Sequence, residues 1–194
     1  MEGCLRSIRF ERLSVILAAS CALSICLPQE VGGHRGQVAV KGRYINPDYG
    51  FSVRIPNQLP AYRLRSPAPQ HGITLELDKD NRIWINAEYD ALMLGSAEAL
   101  AKRASQMYGD GLKTVSNSVV ELSGLEARDV VLAGESDAGA TNYVHLLAGY
   151  RSLTNAPGVA YTITLQGRMK NRASERLFET VCRSFRVTPI SGRK

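Results

Sequence analysis

The sequence predicts an α+β domain in which a mainly antiparallel sheet of about six to seven strands is flanked by two helices, an α/β/α sandwich. Three observations carry this reading. Segments that alternate apolar and polar residues dominate the chain, as half-buried strands do. They follow one another through hairpin-length turns, whereas parallel neighbours would need a crossover helix between most of them. Two further segments repeat apolar residues at three and four, and each such stripe needs a sheet to cover. The size agrees: 194 residues is about one domain, since domains run ~100 to 200 residues. With 44% hydrophobic and 22% charged residues the chain carries enough apolar surface for a core, which excludes wholesale disorder.

Residues 1–33 read as a signal peptide and its cleavage region. Arg6, Arg9 and Arg12 lead into an uncharged run from Leu13 to Leu27, followed by Pro28, Gly32 and Gly33, the layout of a secretory signal. The run is too short and too rich in serine for a membrane span. Cys21 and Cys26 stand where a lipoprotein cysteine would lie, but bulky Ile25 precedes Cys26, and Cys21 leaves a very short apolar stretch. Membrane association is expected only if one of them is acylated. Beyond the signal, 21 Lys or Arg minus 15 Asp or Glu from His34 onward leaves +6, so the basicity belongs to the folded part. Cleavage leaves Cys182 as the one certain cysteine, and no disulfide framework is expected unless Cys26 is retained.

Residues 34–43 read as a flexible linker and 44–190 as the single domain. Phe51, Val53 and Ile55 alternate with Ser52 and Arg54 between Asn46-Pro47-Asp48 and Pro56, which is a strand between turn signals. The proline-rich stretch from Asn57 to Gln70 reads as loop. Next comes a hairpin whose apolar faces, Ile73, Leu75 and Leu77 against Ile83, Ile85, Ala87 and Tyr89, must oppose each other. The expected register pairs Leu77 with Ile83, Leu75 with Ile85 and Ile73 with Ala87. It leaves Lys79-Asp80-Asn81 as the loop, with Asn81 in the left-handed position, and sets Asp78 opposite Arg82 and His71 opposite Tyr89. Ser96 caps a helix carrying Ala97, Leu100, Ala101, Ala104, Met107 and Tyr108, which Gly109 ends. Strands follow over 113–122, 125–133, 142–150 and 159–166, separated by Ser123-Gly124, by Gly134 to Ala140, and by Asn155-Ala156-Pro157-Gly158. Asn171 or Ser174 then caps a helix whose stripe is Leu177, Phe178, Val181, Cys182 and Phe185.

Tyr49-Gly50-Phe51-Ser52-Val53-Arg54-Ile55-Pro56 at the start of the domain, the middle helix after a hairpin, and the closing Leu177-Phe178-Glu179-Thr180-Val181-Cys182-Arg183-Ser184-Phe185 resemble the PsbP-like family and its bacterial exported relatives. The resemblance covers about Asp48 to Val187. It implies an antiparallel sheet between helices and an accessory or binding role without catalysis. It brings no metal ligands, because no matching motif is visible.

The usual signatures of four reaction classes are missing: His-Glu-x-x-His, Cys-x-x-Cys, the phosphate-cradling Gly-x-x-x-x-Gly-Lys and Gly-x-Ser-x-Gly do not occur. Gly134 to Gly139 has one residue too many for a nucleophile turn and reads as a hairpin loop. Cys182 lies on the core face of its helix, where a thiol is inert, and His145 reads as a half-buried strand residue. No catalytic residue, metal site or cofactor is expected. The candidate binding residues are His71 and Tyr89 at the open end of the hairpin, Trp84 on its polar face, and Arg168 and Arg172 in a basic run with Lys170, Arg176, Arg183 and Arg186. Such a run suits phosphates, an anionic surface or an acidic partner, while nucleic acid binding is not expected without stacking aromatics. A helix is expected to cover the Trp84 face. The resulting reading is an exported, periplasmic or extracellular bacterial accessory or protein-binding module whose partner is an envelope protein. The alternatives are a small-molecule or metal-binding periplasmic protein using the His71 end and, behind it, a hydrolase without recognisable motifs.

Overall fold

A computed structural model describes residues 38–57, 59–63, 71–108, 111–134 and 142–190, all within the unit Gly36–Lys194. The signal at 1–33, the acylation candidates Cys21 and Cys26, the helix stop at Gly109 and most of the Gly134 to Ala140 loop lie outside these residues. Twelve elements follow in order: β1 Arg43–Asn46, β2 Phe51–Arg54, β3 Ala61–Arg63, β4 Gly72–Glu76, β5 Arg82–Tyr89, α1 Ala97–Gln106, β6 Lys113–Leu122, β7 Leu125–Ala133, β8 Tyr143–Leu153, β9 Ala156–Gly167, α2 Arg172–Ser184 and β10 Arg186–Val187. They build a seven-stranded sheet in the order β3-β4-β5-β9-β8-β7-β6 and a three-stranded sheet in the order β1-β2-β10. Every strand pair is antiparallel, so the α+β architecture read from the sequence is the one formed. Among the described residues no helix is long and apolar enough to cross a membrane.

The larger sheet buries apolar residues on both faces, one against β2 and α2 and part of the other against α1. On one side Ile73, Leu75, Ile83, Ile85, Tyr161, Ile163 and Leu165 form a core with Phe51 and Val53 of β2, and with Phe178 and Val181 of α2. Phe51 stacks on Phe185 at 5.4 Å between ring centroids, and Tyr161 meets Phe185 edge-on at 5.5 Å. Offset and edge-on aromatic contacts of this kind add ~0.5 to 1.5 kcal/mol each beyond the area they bury. The α2 stripe is therefore what ties the small sheet to the large one. On the opposite side Leu100 and Ala101 of α1 pack on Val130, Leu132, Val144, Leu146, Ala148 and Ala160. Both helices start where the polar caps stand: the Ser96 hydroxyl accepts the Ala99 N–H at 3.1 Å, and the Asn171 carboxamide oxygen accepts the Ala173 N–H at 2.9 Å.

Several local expectations are corrected. The β4-β5 register is displaced by two residues: Ile73 faces Ile85, Thr74 faces Trp84, Leu75 faces Ile83 and Glu76 faces Arg82. A shift of two preserves which side chains face the core, so the apolar pattern cannot choose between the registers. The loop chemistry does. Asp78 leaves the strand and its Oδ1 accepts the N–H groups of Asp80 at 2.8 Å and Asn81 at 2.9 Å, while the Asn81 carboxamide donates back to both Asp78 oxygens. That makes 77–81 the loop, and Asn81 is not left-handed; the described non-glycine residues with positive φ are Met93, Ser123 and Asn155. Gly72 then lies over the Ile85 carbonyl, where no Cβ fits.

Three short strands escaped the sequence reading. β1, β3 and β10 have four, three and two residues, too few for alternation to show, and β3 sits inside the stretch read as loop. The described part of the 34–43 segment is not a free linker: Val40 N donates to Ala61 O at 2.8 Å and Arg63 N to Val38 O at 3.0 Å, which lays the chain along β3. Finally, the β8-β9 turn is Thr154-Asn155 with Asn155 at φ 57. Pro157 is the second residue of β9, beside a register shift between Arg151 and Leu153, a position where its missing N–H costs no ladder bond.

Candidate functional site

An α-helix is about 10 to 12 Å across, whereas seven strands spaced ~4.8 Å apart span about 29 Å. One helix therefore cannot roof one face of this sheet. α1 lies over β7 and β8, where its small residues Ala97 and Ala101 bring it close, and the β9, β5 and β4 side of the same face is left bare. Between the helix and the bare strands runs a groove of about 580 Å³. Its floor is polar, with Asn86 opposite Thr162 and Trp84 opposite Thr164 across the β5-β9 pair, and Gln166 one step on. Gln166 donates from Nε2 to the Tyr108 hydroxyl at 3.0 Å, tying the floor to the end of the helix. The wall is apolar, from Leu100, Ala104 and Met107 of α1 and its C-cap.

Trp84 is 38% exposed, which corrects the expectation of a covered face. The helix is on the expected side but displaced from Trp84 by the width of the groove, and what lies over the indole is the Arg82 guanidinium, 5.9 Å from the ring centroid.

The loop closing the groove is built by one carboxylate. Asp90 accepts the Leu94 N–H on Oδ1 and the Gly95 N–H on Oδ2, both at 2.9 Å. Burial alone would raise its pKa, but these bonds and the Tyr150 hydroxyl outweigh it and hold the carboxyl below its ordinary range. The tight turn forces Met93 to φ 54, an uncommon conformation for a residue with a Cβ. It also turns apolar side chains outward: Leu92 is 61% and Met93 88% exposed, as Met107 is at 81%. Glu88 and Asp90, two positions apart, thus differ in role. Asp90 is buried structure, and Glu88 stands exposed at the mouth of the groove.

The other candidates lie elsewhere. His71 faces Ala87, not Tyr89, and donates from Nδ1 to the Ala87 carbonyl at 2.9 Å. The buried Tyr49 ring fills the space between the two: it stacks on His71 at 5.3 Å and meets Tyr89 at 5.0 Å. Tyr89 donates to the Asp48 carbonyl at 2.7 Å. Arg168 pairs with Asp80 at 3.1 Å, and Arg172 is the exposed first residue of α2. These residues are therefore three separate places, and none adjoins Trp84. Cys182 is partly buried against the core; burial first, with the nearby Asp129 charge, pushes its thiol far up, so thiolate is not available.

Sequence reasoning missed the most polar cluster inside the fold. His145 of β8 bonds Asp129 of β7 through Nε2 at 2.8 Å and Glu175 of α2 through Nδ1 at 2.7 Å. Burial alone would lower its pKa, yet the two hydrogen bonds and the two negative charges raise it to about 9. The ring is held as a cation between two anions, and the Phe178 ring lies 4.4 Å away. Tyr143 joins the group: its buried hydroxyl faces Glu175, and burial together with that carboxylate pushes the phenol far up. The signal was Asp129 at a core-facing position between Ala127 and Val131, a carboxylate that had to find a partner. Among the described residues no group of three or more His, Cys, Asp or Glu is arranged to hold a metal ion.

No protein-family model and no curated protein matches the sequence. Solved structures that share its architecture include the two that follow. The solution structure of cyanobacterial PsbP (CyanoP) from Synechocystis sp. PCC 6803 superposes with a TM-score of 0.52 at 18% identity, over 82% of this chain and 99% of that one. The fold is PsbP-like. LpqN of Mycobacterium tuberculosis, described as involved in cell envelope biogenesis, gives a TM-score of 0.55 at 14% identity, over 79% of this chain and 91% of LpqN. At these identities the PsbP-like fold is what is shared. The groove, the Asp90 loop and the histidine clamp are argued from this chain's own residues.

Proposed function

We propose that this chain is an exported, non-catalytic accessory module of the cell envelope that binds a protein partner through the groove between α1 and the bare half of the large sheet. The observation that carries it is the set of large apolar side chains in and beside that groove: Leu92, Met93 and Met107, which are mostly exposed, and Trp84, which keeps 38% of its surface open. An exposed tryptophan beside flexible methionines is the usual make-up of a protein contact. A small ligand would be gripped by enclosing walls, whereas here Leu92, Met93 and Met107 project outward from the closing loop and the end of α1, and only an occupant that spans them removes them from water. The partly exposed Asn86 and Thr162 of the floor then supply hydrogen bonds to the partner.

The non-catalytic reading rests on what the reactive groups are already doing. Asp90 caps a loop, His71 is bonded to a backbone carbonyl, His145 is clamped by two carboxylates and the Cys182 thiol is buried. Export is supported by the arrangement of residues 1–33 and by the envelope role in the description of LpqN.

A photo-crosslinking residue placed at position 84 or 107 in the native host tests the proposal, with position 119 on β6 as the comparison. A discrete polypeptide adduct from 84 and 107, absent from 119 and lost when Leu92 and Met93 are both changed to Ser, is the expected result. Equal adducts from all three positions, or adducts of small-molecule mass only, would overturn it.

A further inference from the structure

Of the basic residues at the start of α2, Arg168 pairs with Asp80. A second gathering of positive charge stands at the other end of the helix. There Arg183 of α2 and Arg186 of β10 meet Arg43 of β1 and Arg54 of β2 around a concavity of about 350 Å³ that also includes Thr180 and Ser184. We propose that this concavity binds a phosphate group.

Arg43 and Arg54 are direct partners in the β1-β2 register and so put like charges on the same side of adjacent strands, an arrangement that destabilises a sheet. A local conflict of this kind is expected where function outweighs stability. Among the described residues the acid in contact with the set is Glu179, 2.8 Å from Arg183. Four guanidinium groups against one carboxylate leave +3 around a small concavity, a charge suited to a ligand carrying more than one negative charge.

The hydrogen-bonding character narrows the ligand further. Thr180 donates its hydroxyl to Arg176 O at 2.7 Å, and Ser184 donates to Val181 O at 2.8 Å while accepting the Arg54 N–H at 3.1 Å. Both hydroxyls are thus engaged, and what faces the concavity is a set of guanidinium donors. A neutral polyol, which brings donors of its own, finds few acceptors; a phosphate brings acceptor oxygens only, and the planar arginine fork matches two of them at once. Position is also prepared. Arg186 Nη1 caps the last turn of α2 by donating to Arg183 O at 2.7 Å and Phe185 O at 2.6 Å, so its remaining N–H groups are held in place before any ligand arrives.

Calorimetric titration of the purified full chain with inorganic pyrophosphate, at low salt and at 150 mM salt, tests the proposal alongside sedimentation with phosphatidylglycerol vesicles. Saturable one-to-one binding of pyrophosphate, weakened at least tenfold by Arg54→Gln and by Arg183→Gln but unchanged by Arg82→Gln, is expected if the phosphate comes from a soluble ligand. Vesicle binding with the same dependence on Arg54 and Arg183, without pyrophosphate binding, assigns the phosphate to a lipid headgroup and equally supports the site. Arg54→Gln should also raise the Tm of the free protein, because it removes the cross-strand repulsion, while abolishing any rise caused by pyrophosphate. Absence of binding to both probes, or binding that survives the combined Arg54→Gln and Arg183→Gln substitutions, overturns it.

Discussion

Raising the pH from 6 to 9.5 should loosen this protein through one side chain. His145 has an ordinary pKa of 6.5 and is raised to about 9 in the folded chain by Asp129 and Glu175. A folded-state pKa above the unfolded one means stabilisation that is fully present below about pH 6.5 and is lost as the pH rises through 9. At ~1.4 kcal/mol per pH unit the difference amounts to about 3 kcal/mol, and little of it is screened, because the imidazole is only 13% exposed. Glu175 acts in the opposite sense. Burial would raise its pKa, but His145 and Tyr143 hold it below the usual range, so its contribution is present above about pH 4.5 and disappears as the pH falls through its folded value. Stability should therefore peak between about pH 5 and 6.5. Urea unfolding at half-unit pH intervals measures the profile, and the His145 Cε1–H shift in an NMR titration reports the site itself. His145→Gln should flatten the alkaline limb and cost about 3 to 5 kcal/mol at pH 6, since it leaves two carboxylates facing each other without the cation. A His145 resonance that titrates below pH 7, or an alkaline limb unchanged in the variant, would refute the clamp.

Three further outcomes follow from the geometry. Gly72→Ala should destabilise by at least about 2 kcal/mol, because the new Cβ meets the Ile85 carbonyl, while Gly111→Ala, with open space around it, should change little in thermal unfolding. Cys182 should react slowly with thiol reagents in the native protein and rapidly once denatured, and Cys182→Ala should cost about 1 kcal/mol in urea unfolding. Trp84→Ala should cost about 2 kcal/mol, less than the ~3 to 5 kcal/mol of a fully buried tryptophan, and the native indole, 38% exposed, should be quenched by acrylamide; a poorly quenched tryptophan would contradict the open face.

How much of this could be read beforehand depended on how local the information was. The strand at Phe51, the β4 and β5 faces, and the two capped helices each carry their evidence within a few residues, and each formed. The β4-β5 register failed because a two-residue slip keeps every apolar face and only the Asp78 loop decides it. The His145 clamp was out of reach for a different reason: its partners lie 16 and 30 positions away on other elements, and only the assembled sheet and α2 bring them together. Trp84 was misjudged because a helix with a full apolar stripe was assumed to cover a whole sheet face, when its width covers only part of one. The arginines converge by the same long-range route: Arg43 and Arg54 lie more than 120 positions before Arg183 and Arg186.

The most direct test of the open groove as the working surface is hydroxyl-radical footprinting of the chain in its native envelope and after purification. Met93, Met107 and Trp84 should be protected in the envelope relative to the purified protein, while Val119, 60% exposed on the far edge strand β6, should be labelled equally in both. Equal labelling of all four residues in both preparations would mean that nothing occupies the groove where the protein works, and would contradict the account.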